Sequence, residues 1–215
     1  MRFLTISKFL LILILPLLIF LLILNLVGFN HVFYQKKFSE YGIGQDVPEA
    51  ASLHEKVINF IKGKNNELPN EFNEREKQHL SDVRGVIRIS TIALYAFIIL
   101  FVLLLTASAF ILKVNNSIVN FVSKLLIFGG FLTVVLATAF FFFISSDFLT
   151  AFELIHKLFF ENGGYVFDPA TDIIVRIYPE QLFMDLGLRI SKWIILVSAA
   201  AILAGVFLIF KSKNK

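Results

Sequence analysis

The sequence predicts an all-α integral membrane protein with four transmembrane helices and two structured extracytoplasmic loops. Three observations carry that expectation. The chain has 215 residues and is 57% hydrophobic, with 26 Phe and a mean hydropathy of +0.79. A soluble domain is only about 45–50% apolar on a comparable count. Four apolar stretches, at about 9–29, 89–112, 125–144 and 190–210, approach the ~17–25 residues that cross a bilayer as a helix. Finally, all 16 Asp and Glu fall within residues 30–85 and 145–186. The whole of 1–215 reads as a single integral membrane domain.

The first stretch follows Arg2 and Lys8. It exceeds the roughly 7–15 residues of a signal-peptide core, and no small-x-small cleavage site follows it, so it reads as a retained helix. The loop 30–85 carries 9 acidic and 8 basic residues; the loop 145–186 carries 7 acidic and 2 basic. Lys113 and Lys124, at the turn between the second and third stretches, and Lys211, Lys213 and Lys215 in the tail are all positive. Lys and Arg are enriched on cytoplasmic flanks. Both termini and the short turn are therefore expected in the cytoplasm of a plasma-membrane protein, with both loops outside.

Within the first loop, Asp46-Val47-Pro48-Glu49 reads as a helix start, because Pro suits the first turn and acids suit the positive end of the helix dipole. Leu53, Val57, Phe60 and Ile61 then recur at helical spacing, and Gly63 with Asn65-Asn66 ends the run. Asn73 and Glu76 have the spacing of a capping box, from which one helix is expected to run past Gly85 into the second stretch. In the second loop, Leu149, Phe152, Ile155 and Phe159 repeat at helical intervals. Asn162-Gly163-Gly164 marks a turn. Tyr165 to Pro169 reads as extended, since the residue before Pro is pushed out of the helical region. Residues 172–179 are β-rich and short, and Pro179-Glu180 restarts a helix toward the fourth stretch.

Two histidines stand out. His79 precedes the second stretch and His156 follows the third. An unbroken helix places His79 about 10 Å beyond Val86, and His156 lies a similar distance beyond Ile144. A short turn makes the second and third helices antiparallel neighbours, so the two imidazoles are expected near each other at the depth of lipid ester carbonyls. His titrates closest to neutral pH and suits general acid–base work. Asp82 and Glu153 lie three residues away on the same helix faces, where a carboxylate can orient an imidazole. The competing reading makes each an ordinary polar helix-end residue. His31 and His54 read as plain loop residues.

Other chemistry has little support. The chain has no Cys, which removes disulfides, thiolate ligands and Cys nucleophiles. There is no HExxH and no GxSxG. His79, Asp82, His156, Asp168 and Asp172 have ligand-type side chains, but their spacing is not diagnostic of a metal site, and none is assigned. The acids Asp168 and Asp172 suit turns. Gly129-Gly130 and Ser198 to Ala201 suit close helix packing. The basic pI of about 9.3 comes from the membrane flanks, so no nucleic-acid partner is expected, and no cofactor is called for.

Taken together, His79-Leu80-Ser81-Asp82-Val83-Arg84, the segment from His156 through Phe159, Phe160, Tyr165, Phe167, Asp168 and Pro169 to Asp172, and the following Ile177-Tyr178-Pro179-Glu180, Phe183 and Asp185 resemble the Lit family of lipoprotein intramolecular transacylases. At position 165 the family commonly carries Trp where this chain has Tyr. The resemblance implies an acyltransferase that moves the sn-2 acyl chain from the diacylglyceryl-Cys of a lipoprotein to the α-amine of that Cys, leaving a lyso-form lipoprotein. It implies a His dyad, with His156 as base and His79 as acid or oxyanion partner, or the reverse. Asp82 and Glu153 would orient the rings, and Arg84, Tyr165, Asp168 and Asp172 would shape the site. The expected partners are the diacylated lipoprotein substrate and membrane lipids. The alternatives are a non-catalytic membrane sensor or assembly protein, and a lipid hydrolase on the same scaffold.

Overall fold

The computed structural model describes residues 2–112, 116–160 and 164–213. Lys113, Lys215 and the turn residues Asn162 and Gly163 lie outside them. Every regular element among the described residues is helical: α1 (Arg2–Val27), α2 (His31–Glu40), α3 (Ile43–Asp46), α4 (Ala50–Ile61), α5 (Glu74–Leu112), α6 (Asn116–Ser146), α7 (Phe148–Phe159), α8 (Ile173–Ile177) and α9 (Glu180–Lys213). Four of these, α1, α5, α6 and α9, are long and apolar enough to cross a membrane. The packing divides the chain into two compact units.

The first unit comprises Met1–Asn25, Ile92–Phe142 and Arg189–Lys215. In hydrocarbon every backbone N–H and C=O needs an internal partner, and a helix supplies it. Side-chain hydroxyls follow the same logic: Ser123, Thr133 and Ser198 each donate to the carbonyl four residues back, at 2.7 Å. Between helices, the Ser7 and Ser108 hydroxyls meet at 2.8 Å in a buried contact. Leu11, Phe121 and Leu125 form a small apolar centre. Large side chains such as Ile99, Leu103, Phe110, Phe131 and Phe207 are exposed, as a lipid-facing surface requires. Close packing falls where the small residues suggest. A Cβ on Gly130 would lie 2.8 Å from Ile202 Cγ1 and 3.1 Å from the Ser198 carbonyl, and one on Gly205 would lie 2.8 Å from the Ser123 carbonyl. Small residues let backbones approach where lipid offers no hydrophobic drive to associate.

The second unit comprises Leu26–Thr91 and Phe143–Leu188. Its core gathers Phe33, Phe38, Leu53, Val57, Phe72, Ile177 and Leu182, all nearly or fully buried. Helix α4 contributes the face expected from its periodicity, although it begins at Ala50, two residues after Pro48. His54 belongs to that core. It is 2% exposed, on α4, and its Nδ1 lies 3.0 Å from the Tyr178 hydroxyl, so its reading as a plain loop residue is corrected. Helices α2 and α3 had no counterpart in the sequence reading. Asn30 caps α2 by accepting the Phe33 N–H at 2.9 Å.

The capping box at the head of α5 forms as expected. Asn73 Oδ1 accepts the Glu76 N–H at 3.0 Å, and Glu76 Oε2 accepts the Asn73 N–H at 2.6 Å. Glu76 is 1% exposed, and its second oxygen accepts the Ile174 N–H at 2.7 Å. That bond corrects the β-rich reading of residues 172–179. With Asp172 as the residue before its first turn, the segment forms the short helix α8. The local β preference of Ile173, Ile174, Val175 and Ile177 yields to a tertiary acceptor. The helix after α6 is a separate element: Asp147 breaks the chain and caps α7, accepting the Thr150 N–H at 3.1 Å.

Candidate functional site: a pair of imidazoles in an aromatic frame

His79 sits in the second turn of α5 and His156 in the last turn of α7. Both belong to the second unit. The apolar stretch of α5 begins ten residues after His79, so the imidazole lies outside the spanning segment. The two rings are stacked, with centroids 6.2 Å apart and planes 17° from parallel. Aromatic rings frame them. Phe160 and Phe167 lie 4.8 and 5.4 Å from His79, while Phe152 and Tyr165 lie 3.8 and 4.9 Å from His156. Phe160 also lies 5.4 Å from His156 and so touches both imidazoles.

The ring nitrogens are not equivalent. His156 Nδ1 lies 2.7 Å from the Phe152 carbonyl. A carbonyl only accepts, so Nδ1 must carry the proton, and in the neutral ring Nε2 is left as the proton acceptor. The Nδ1 of His79 is buried and has no hydrogen-bond partner among the described residues. A buried imidazole nitrogen without a partner is costly, and such groups concentrate at functional sites. Burial first and then the neighbouring His156 lower the His79 pKa to about 4, with the Asp82 carboxylate opposing the shift. Burial also lowers His156, against the opposing effect of its bond to the Phe152 carbonyl. Both rings are therefore neutral at physiological pH, which is the state a general base requires.

The other sequence-derived candidates divide. Tyr165 stands against His156. Asp82 accepts from Gln78 Nε2 at 3.0 Å and acts on His79 only through space. Glu153 pairs with Lys157 at 2.7 Å; the contact that orients His156 is the Phe152 carbonyl. Arg84 points to the end of α4, with its guanidinium 4.7 Å over the Phe60 ring and 3.3 Å from Asn66 Oδ1. Asp168 caps its own turn through the Ala170 N–H at 2.9 Å.

Asp172 is the hub of a separate network. Only 2% exposed, it accepts from Asn73 Nδ2 at 2.8 Å, Arg75 Nη2 at 2.5 Å and the Asp168 N–H at 2.7 Å. Burial alone would raise its pKa, but these bonds outweigh burial and hold it below the usual value. The network reaches the histidines through Arg75, whose guanidinium lies 5.1 Å over Phe167. Sequence reasoning missed Arg75, Phe152, Phe160 and Phe167. Arg75 was visible inside the capping box, Phe152 in the helical repeat, and Phe160 and Phe167 in the segment that carries the resemblance, but nothing local gave them a role beside the histidines. Among the described residues, no three His, Asp or Glu are grouped so as to hold a metal ion.

The helical fold has close counterparts of known structure. The in meso structure of the membrane integral lipoprotein intramolecular transacylase Lit from Bacillus cereus superposes with a TM-score of 0.87, covering 100% of this chain and 99% of that one at 21% identity. Forms of the Bacillus cereus protein with a histidine replaced by alanine or by arginine superpose at 0.82 and 0.81, each at 21% identity. They cover 100% and 99% of this chain and 97% and 95% of theirs. At that identity the likeness concerns the fold. No curated protein matches the chain. The family model of Lit, lipoprotein intramolecular transacylase, matches residues 9–183. The chain is thus a multi-pass integral membrane protein belonging to the lipoprotein intramolecular transacylase (Lit) family.

Proposed function

We propose that this enzyme moves the sn-2 acyl chain of a lipoprotein's diacylglyceryl-Cys onto the α-amine of the same Cys, with His156 as the base. The observation that carries the assignment is the bond between His156 Nδ1 and the Phe152 carbonyl, which leaves Nε2 to take a proton. The substrate amine, with a pKa of about 7.7–8.0, needs only a mild base. As His156 removes its proton, the amine nitrogen attacks the sn-2 ester carbonyl and a C–N bond forms. His79 faces the developing oxyanion and the glycerol oxygen. The carbonyl–glycerol C–O bond then breaks, and the glycerol oxygen takes up the proton that the amine lost. Ester becomes amide, one hydroxyl is freed, and no enzyme nucleophile is used. Because both reactants sit on one molecule, positioning removes a large entropic barrier, about 7–11 kcal/mol at best. The aromatic frame keeps water, the competing nucleophile, away.

The positive charge of both termini and of Lys124, near the start of α6, supports a cytoplasmic location for the termini and for the α5–α6 connection, with the imidazole pair on the opposite side of the plasma membrane. The test is expression in a host whose lipoproteins are diacylated, followed by tandem mass spectrometry of a lipoprotein N-terminal peptide. The expected product carries one acyl chain on nitrogen and one on glycerol, and its amount falls sharply with His156→Ala. Two acyl chains still on glycerol with the wild-type enzyme would sink the proposal. Free fatty acid without N-acyl peptide would indicate a hydrolase instead.

A further inference from the structure

We propose that Arg75 binds the peptide of the substrate, donating to a backbone carbonyl just beyond the acylated Cys; this rests on the acyl-transfer reading above. Arg75 and His79 are four residues apart, on one face of α5. One helical turn, about 5–6 Å along the axis, separates them. The apolar stretch of α5 lies on the other side of His79, toward Leu112. Along this helix the order is therefore apolar stretch, imidazole, guanidinium. A lipoprotein has the same order: acyl chains, reacting ester and amine, then peptide.

Arg75 is held in place yet accessible. One arm, Nη2, bonds the buried Asp172 carboxylate, itself fixed by Asn73 and the Asp168 N–H. The guanidinium also lies over Phe167, whose ring contacts His79. The side chain is nonetheless 54% exposed. A guanidinium has five N–H donors in a fixed fork, and the bond to Asp172 uses one of them. The exposed donors suit a carbonyl oxygen, and the Asp172 anchor limits the rotamer entropy lost on binding. A donor that holds the peptide about one turn from the imidazoles would help align the α-amine with the ester.

The test compares two substrates on the purified full-length enzyme in detergent: a diacylglyceryl-Cys lipopeptide of five residues, and diacylglyceryl-Cys methyl ester, which lacks the peptide. Wild-type kcat/KM should favour the lipopeptide by roughly tenfold or more, the size of one charge-assisted hydrogen bond. In Arg75→Gln that preference should fall to about one. In Arg75→Lys, which keeps the charge beside Asp172 but loses the fork, it should fall most of the way. The ratio does not depend on how much enzyme is folded, so destabilisation cannot imitate the effect. An undiminished preference in both variants would overturn the proposal, as would the absence of any preference in the wild type. If the wild-type enzyme N-acylates neither substrate, the acyl-transfer reading itself fails.

Discussion

Two histidine pairs in the second unit have nearly the same ring geometry and different surroundings. His79 and His156 stack at 6.2 Å and 17°; His31 and His54 stack at 6.1 Å and 17°. Around His54, Tyr34 packs at 4.2 Å, Phe38 at 5.5 Å, and the Tyr178 hydroxyl bonds Nδ1. Tyr34 in turn donates to the Gly28 carbonyl at 2.8 Å. That ring is part of the core. In the other pair, the one bond to His156 fixes its tautomer and leaves Nε2 as acceptor, while His79 Nδ1 has no partner among the described residues. Stacked imidazoles are therefore no signature of catalysis by themselves. The two pairs differ in a buried ring nitrogen without a partner among the described residues, His79 Nδ1, beside an oriented His156.

The largest effect that would break this contrast is on rate. His156→Ala and His79→Ala should each lower acyl transfer by about 10²–10⁴-fold, the usual range for a general acid or base. His31→Ala should stay within about twofold, measured as N-acyl peptide formed per unit time. The next effect is on stability. His54→Ala opens a cavity and strands the Tyr178 hydroxyl, a loss of about 3 kcal/mol. It should appear as a lower thermal midpoint in detergent, with activity retained where the protein remains folded.

A smaller effect, common to both pairs, is on the pH dependence of stability. The pKa of His54 is lowered to about 4 by burial and the neighbouring His31, and that of His79 to about 4 by burial and His156. The unfolded chain titrates near the ordinary value of 6.5, so between pH 6.5 and 4 it binds more protons than the folded protein. Stability should be full above about pH 6.5 and fall as pH is lowered toward 4. His54→Leu should flatten that slope, read from thermal midpoints at pH 7, 6 and 5. The smallest effect concerns Tyr165. Its ring packs on His156, and its hydroxyl makes no hydrogen bond among the described residues, so Tyr165→Phe should cost less than about threefold in rate.

The contrast also shows what a sequence can disclose. The four apolar stretches, the capping box at Asn73 and Glu76, and the approach of His79 to His156 were legible because each rests on local pattern or on a short connection. His54 was legible too, though missed. It follows Ala50 by four residues and precedes Val57 by three, which puts it on the buried face of α4. Helix α8 was not legible. Its residues favour a strand, and the Glu76 carboxylate that accepts from Ile174 lies 98 positions away. The bond from His156 to its own backbone was equally hidden. Glu153 was the apparent partner, but the carbonyl of Phe152 lies closer and needs no ordered side chain, while Glu153 is drawn to Lys157 in solvent.

The central claim is that the bond of His156 Nδ1 to the Phe152 carbonyl leaves Nε2 as the proton acceptor of the pair. Nitrogen-15 NMR of the histidine-labelled protein in micelles at pH 7 reads this directly. The expected spectrum has His156 neutral, with its proton on Nδ1 and an unprotonated Nε2, and the signal absent from His156→Ala identifies it. A His156 protonated at Nε2 with a bare Nδ1, or a doubly protonated ring at pH 7, would contradict the account.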